Sequence, residues 1–251
     1  MENQSKVWYV TGASDGLGLN LVKQLLAAGY RVAATAESKA ELEDAVRDNS
    51  SNFLALEVNL SREDTVIASL QTAADTFGNI DVVVNNAAQK PAGRFEEFSD
   101  KQARANFEIN VFGMMNVIRN AMSHFRPQQS GHIFNISSAA ASSGKYSGLS
   151  IHCATRFAVA GLSESLAAEA KPFGIHVTVV LPDQFRSSLA KEEEATTAAE
   201  PAVTGNTASA MISIAQNEEP PLYLFLSKAS FLAATERLDS VKKDMCLWPH
   251  T

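Results

Sequence analysis

The octapeptide Thr11-Gly12-Ala13-Ser14-Asp15-Gly16-Leu17-Gly18 sits between an apolar, β-rich run (Lys6 to Thr11) and a helical pattern that begins at Gly16. Glycines at these offsets let the chain turn tightly and bring backbone N–H groups close to a diphosphate, which the helix N-terminus then faces with positive potential. A strand, a glycine turn and a helix in this order predict a dinucleotide-binding architecture. Outward from the turn, six more short runs carry strand character: Arg31–Ala36, Phe53–Val58, Ile80–Asn85, His132–Ser137, His176–Leu181 and Leu222–Leu226. Most are apolar on both faces, as strands between two helical layers must be. Helical patterns separate them at Gly16–Ala28, Lys39–Asp48, Arg62–Phe77, Asp100–Phe125, His152–Lys171 and Ala229–Lys243. The alternation predicts an α/β fold, one doubly wound Rossmann-type domain over residues 1–251 with a mostly parallel seven-stranded sheet and helices on both faces. One stretch breaks the pattern. Ala190–Ala210 is rich in Ala, Thr and Glu and interrupted by Pro201 and Gly205, so it reads as a mobile flap or loop.

Composition narrows the function classes. The chain has 251 residues, 45% apolar and 20% charged, in the range of a globular protein with a full hydrophobic core. Its formal net charge of −7 disfavours nucleic acid and anionic membrane surfaces and favours small molecules as partners. No apolar run approaches the ~20 residues of a membrane span, and the polar start, Met1 to Lys6, is no signal peptide. Cys153 and Cys246 make no disulfide framework, which fits a reducing, cytoplasmic setting. His124, His132 and His250 show no metal-ligand spacing, and no metal is expected.

Several further motifs carry a resemblance. Thr11-Gly-x-x-x-Gly-x-Gly18 has the spacing of the short-chain dehydrogenases/reductases, and Asn85-Asn86-Ala87 resembles their Asn-Asn-Ala-Gly motif. Asn110-Val111-Phe112-Gly113 resembles the helix segment that supplies the family's active-site asparagine, and Asn135-Ile136-Ser137-Ser138 the strand end that supplies its serine. The resemblance implies a dinucleotide held by Gly12, Ser14, Asp15, Gly16, Leu17, Gly18, Glu37, Asn86 and Ala87. It also implies a homodimer or homotetramer. Glu37 lies at the end of the second strand, where a carboxylate accepts from an adenosine ribose hydroxyl and repels a ribose phosphate. Asp15 adds a second carboxylate where NADP-using members commonly carry a basic residue. NAD is therefore favoured over NADP, if a dinucleotide binds at all.

The resemblance breaks at the chemistry. Alignment on Phe157, Gly161, Leu162 and Ser163 places the family's Tyr-x-x-x-Lys pair on His152 and Arg156. Histidine transfers protons and titrates nearer neutrality than tyrosine, but imidazole ends roughly 2 Å short of a phenol oxygen, and a misplacement of ~1 Å costs on the order of a hundredfold in rate. Arg156 keeps the positive charge in a bulkier planar fork that gives up no proton. Ala88 stands where the family has the glycine of Asn-Asn-Ala-Gly, and Asp183 follows Pro182 where it has Pro-Gly. A carboxylate there favours oxidised nicotinamide, fills the ring's space, or pairs with His152 or Arg156. The 187–210 region resembles a shortened, mobile substrate loop. Tyr146, six residues before His152, is a lesser candidate for a substitute phenol, and His176, inside a strand, reads as structural.

Three readings follow. The first is a small-molecule enzyme with a rebuilt site in which His152 is the acid/base, Ser138 and Asn110 are hydrogen-bonding partners, and Arg156 or Asp183 tunes charge. Its chemistry is non-redox: isomerisation, elimination or cyclisation. The second is an NAD-dependent oxidoreductase of small alcohols or carbonyls. The third is a noncatalytic binding protein that keeps the sheet and the glycine turn for stability.

Overall fold

Strands form where β-branched and apolar residues run unbroken between turn residues. In the computed structural model, which describes residues 5–138, 145–182 and 201–247, these are Val7–Val10 (β1), Arg31–Ala36 (β2), Phe53–Glu57 (β3), Val82–Asn85 (β4), Gly131–Ile136 (β5), Ile175–Leu181 (β6) and Tyr223–Phe225 (β7). They form one sheet in the order β3-β2-β1-β4-β5-β6-β7, and every neighbouring pair is parallel. The chain builds outward from β1 to β3, then crosses back to place β4 on the other side of β1. That reversal opens a crevice at the carboxyl ends of β1 and β4, where open α/β sheets bind ligands.

Alternation along β1 builds both cores at once, since successive side chains leave a strand on opposite faces. Val7 and Tyr9 enter one layer with Leu70, Phe77, Val117, Phe125 and Ile133. Trp8 and Val10 enter the other with Leu21, Leu25, Val32 and Phe134. Each fully buried side chain of this size contributes about 1.5–3 kcal/mol relative to exposure.

The helices are Gly16–Ala27 (α1), Lys39–Val46 (α2), Glu63–Phe77 (α3), Asp100–Phe107 (α4), Met114–Gln128 (α5), Ser150–Ala170 (α6), Pro201–Ile214 (α7) and Lys228–Leu247 (α8). Ser38 caps α2 and Ser99 caps α4, each accepting from the backbone N–H three residues on. Two sequence expectations are corrected. The single helix expected over Asp100–Phe125 is α4 and α5 joined through a π-helical turn at Glu108–Gly113, a distortion that favours functional sites and here carries Asn110. The loop expected over Ala190–Ala210 gives way at Pro201 to helix α7. Proline is compatible with a first helical turn, where its missing N–H has no intrahelical partner to lose. Ala208, Met211 and Ala215 of this segment are buried in the α1-side core, and that packing overrides weak local propensity. Residues 187–200 lie outside the described part. At the far edge, Tyr223 donates to Glu164 (2.6 Å) and Arg237 of α8 lies over the Phe157 ring at 4.5 Å, tying the last strand and helix to α6.

Candidate active site

The first half of the site is made of backbone. Asn86, just past β4, donates from Nδ2 to the carbonyls of Thr11 (3.1 Å) and Gly12 (2.7 Å). Thr11 Oγ1 accepts from the N–H groups of Asn86 (3.0 Å) and Ala87 (3.2 Å). The two strand ends are thereby locked together across the crevice. Little room is left for side chains. A Cβ on Gly18 would lie 2.4 Å from the Gly12 oxygen and 2.5 Å from Asn86 Nδ2, and one on Gly12 would lie 2.6 Å from the Ala87 Cα. Gly12 (φ +61°) and Gly16 (φ +51°) also adopt the left-handed region that side chains resist.

Beside this turn lies a cleft of about 540 Å³. Gly12, Ser14, Asp15, Leu17, Glu37, Asn86 and Ala87 all line it, whereas Gly16 and Gly18 shape the turn behind it. Glu37 and Asp15 are exposed at the cleft, so both expected carboxylates face the space an adenosine would take. Ala88, in place of the family glycine, lines the same cleft. A stripped-down backbone turn at a helix start, with an acidic residue at the end of the second strand, fits the diphosphate and adenosine of a nicotinamide dinucleotide.

The second half is made of buried polar side chains. Ser138 follows β5, His152 lies in the first turn of α6, and Arg156 lies one turn further on; all three are buried, as is Asn110. Ser138 Oγ and His152 Nε2 are 3.4 Å apart, a long hydrogen bond. Arg156 Nη1 donates to the Ile136 carbonyl (3.0 Å), and its buried Nε has no hydrogen-bond partner among the described residues. Asn110 holds Gln89 from both sides: Oδ1 accepts from the Gln89 N–H (2.7 Å) and Nδ2 donates to the Gln89 carbonyl (2.7 Å). Asn106 Nδ2 donates to the same carbonyl (3.0 Å), and Asn110 Nδ2 also reaches Thr155 Oγ1 (3.4 Å). Asp183 lies outside the described residues.

The electrostatics of this half depart from what the residue types suggest. Burial pushes the His152 imidazole down to about 3; the charges of Arg156 and Lys90 add to this, and a hydrogen bond with the Gln89 backbone works against it. His152 is therefore neutral across the physiological range. Burial alone lowers Arg156 to about 10 and holds Lys90 below the usual lysine range. Among the described residues the second half thus carries positive charge, within a chain of net charge −7.

Of the residues predicted to act together, Ser138, His152, Asn110 and Arg156 converge at the carboxyl end of β5. Tyr146 instead packs against Leu149 and Cys153. His176 packs edge-on to His132 in the sheet (5.9 Å), in keeping with a structural role. The sequence reading missed Asn106, Gln89 and Lys90. Asn106 had a signal, since it stands four residues before Asn110 and so on the same helix face. Gln89 acts through its backbone and Lys90 through folding proximity, and neither leaves a trace in the sequence.

Known proteins share this architecture. The chain matches the short chain dehydrogenase family over residues 6–198. It is 33% identical over 187 residues to the oxidoreductase BOA17 of Botryotinia fuckeliana, covering 74% of this chain and 68% of that one. It is 30% identical over 207 residues to the fluoren-9-ol dehydrogenase of a Terrabacter species, covering 74% and 58%. The chain spans between 58% and 84% of the length of the curated relatives it matches. Among solved structures, a short-chain dehydrogenase from Streptomyces avermitilis superposes with a TM-score of 0.86 at 31% identity, covering 99% of this chain and 97% of that one. With the glycine turn, the parallel sheet and these similarities taken together, the chain belongs to the short-chain dehydrogenase family.

Proposed function

We propose that the protein binds NAD(H) and acts as an oxidoreductase on a small alcohol or carbonyl compound, with His152 standing in for the family's tyrosine. The observation that carries this reading is the glycine turn, where a Cβ on Gly18 would lie 2.4 Å from the Gly12 oxygen, with Glu37 facing the cleft beside it. When bound, the nicotinamide ring supplies the hydride acceptor or donor. Gly12, Gly16 and Gly18 give the diphosphate backbone access, and Glu37 accepts from a ribose hydroxyl while repelling a phosphate there.

Proton handling falls to Ser138 and His152. A neutral imidazole is the form that accepts a proton, which suits alcohol oxidation. Ser138 Oγ, 3.4 Å from Nε2, offers a relay: the substrate hydroxyl gives its proton to Ser138 as Ser138 gives its own to His152. A hydroxyl interposed this way makes up the reach that imidazole lacks relative to phenol. The non-redox reading would use the same proton transfer, so the state of His152 does not separate the two; the dinucleotide-shaped cleft beside the glycine turn favours the redox one. Asp183 beside the site and a homodimer or homotetramer belong to the same proposal. A groove between α5 and α6, where Met115, Ile118, Met122, Leu162 and Leu166 lie together with Arg119, Arg126 and Glu169, supports the assembly.

Titration with NADH and NADPH, followed by nucleotide fluorescence, tests the reading. NADH is expected to bind at least tenfold more tightly. Absence of NADH binding at millimolar concentration overturns the proposal. NADH binding without turnover across a panel of secondary alcohols and ketones leaves the noncatalytic reading in its place.

A further inference from the structure

A buried guanidinium is ordinarily matched by a carboxylate or fully hydrogen-bonded, because an isolated charge out of water is costly. Arg156 departs from this. It is 5% exposed, its Nη1 is committed to the Ile136 carbonyl, and its Nε has no hydrogen-bond partner among the described residues. The ion pairs among the described residues join Lys39–Glu43, Arg47–Asp44, Arg62–Asp64, Arg104–Asp100 and Arg119–Glu63, all at the surface and none at Arg156. Committing Nη1 leaves the Nε edge, along which two parallel N–H bonds meet the two oxygens of a carboxylate.

The surroundings point the same way. Arg156 and Lys90 are both close enough for their charges to act on His152. Ser138 Oγ lies beside the same imidazole. Among the described residues, those acting on His152 include a guanidinium from its own helix, an ammonium from the segment after β4, a hydroxyl from the end of β5 and the Gln89 backbone. Asp183 lies outside the described residues.

We propose that Arg156 forms an anion subsite, with the Lys90 charge acting on the same imidazole, and that the small-molecule substrate carries a carboxylate which docks on the Nε edge of Arg156. The inference rests on the small-molecule reading above and names its substrate class. It also joins recognition to chemistry. Burial is the main reason the imidazolium is disfavoured, and a bound carboxylate offsets the two charges that add to it, so His152 accepts a proton more readily with the ligand in place.

Calorimetric titration of the full chain with benzoate and its neutral counterpart benzamide, at pH 7 and in the presence and absence of NADH, tests the subsite. Benzoate is expected to bind at least tenfold more tightly than benzamide, to weaken at least tenfold in Arg156→Gln and to weaken less, by about threefold to tenfold, in Arg156→Lys, which keeps the charge and loses the two-point edge. Equal affinity for the two probes, or displacement of benzoate by NADH, overturns the proposal. Should Arg156→Gln fail to fold, the unaltered protein supplies a second readout. In a ¹⁵N-histidine NMR titration, saturating benzoate is expected to raise the His152 pKa by at least one unit, and no movement overturns the proposal. NADH binding is measured on the same samples. Benzoate binding that depends on Arg156 without NADH binding sustains the subsite while the cofactor reading falls; NADH binding with no preference for benzoate removes the subsite alone.

Discussion

The two halves of the crevice are built from different materials. Around Gly12 and Gly18 the recognition surface is main chain, and the gaps between atoms are smaller than a methyl group. Around Ser138, His152 and Arg156 it is side chain, buried and cationic. A surface made of main chain is fixed by the fold and tolerates almost no substitution. One made of side chains can be exchanged while the sheet beneath stays the same. Family membership is therefore written in the first half, and whatever distinguishes this chain from its relatives is written in the second.

The sharpest way to break the contrast is Gly18→Ala. A methyl group forced against the Gly12 carbonyl is expected to weaken NADH binding by about two orders of magnitude and to lower stability by about 1–3 kcal/mol, both readable by fluorescence titration and denaturant melts. A main-chain surface that absorbs this change at no cost would erase the distinction.

Acid titration probes the second half. His152 is held at about 3 in the folded protein against an ordinary value near 6.5. The unfolded chain thus takes up a proton as pH falls through 6.5 while the folded protein does not. The stability this residue contributes is fully present above pH 6.5 and is lost toward pH 3 at up to about 1.4 kcal/mol per pH unit. Buried His132, also held at about 3, adds a parallel loss. In His152→Gln the acid limb of the stability curve is expected to become shallower, with the His132 share remaining; an unchanged slope would show that the imidazole is not held neutral.

Asn110→Ala sharpens the comparison, because this side chain stitches the two halves together through Gln89. Leaving the Gln89 N–H without an acceptor, and its carbonyl with Asn106 alone, is expected to cost about 1–3 kcal/mol. Turnover should fall further than NADH affinity. The smallest effect is at the rim of the first half, where Glu37→Gln keeps the shape and removes the charge. NADH affinity is expected to fall by about threefold to tenfold and discrimination against NADPH to narrow, as a single exposed charge-assisted contact allows.

How much of this was legible beforehand follows the same division. The strand–turn–helix at Thr11–Gly18 and the strand ends at Asn86 and Ser138 could be located because glycines and β-branched runs report local geometry directly. His152 and Arg156 could be placed by register with Phe157 and Gly161, but the neutrality of the imidazole could not. That depends on Lys90, sixty-two positions away in sequence, and on burial that exists only after folding. Helix α7 is hidden because Pro201 and Gly205 read as breakers, whereas its hold on the fold comes from Ala208 and Met211 packing into the α1-side core. The π-helical turn at Glu108–Gly113 left no mark in hydrophobic periodicity, which registers which face is apolar and not which backbone ring closes.

The Gln89 carbonyl has two lone pairs, and the amides of Asn106 and Asn110 fill both. That oxygen is therefore spoken for by one helix face and does not depend on the imidazole. When His152 takes up or hands on a proton, the ring can turn without stranding this polar atom in the interior.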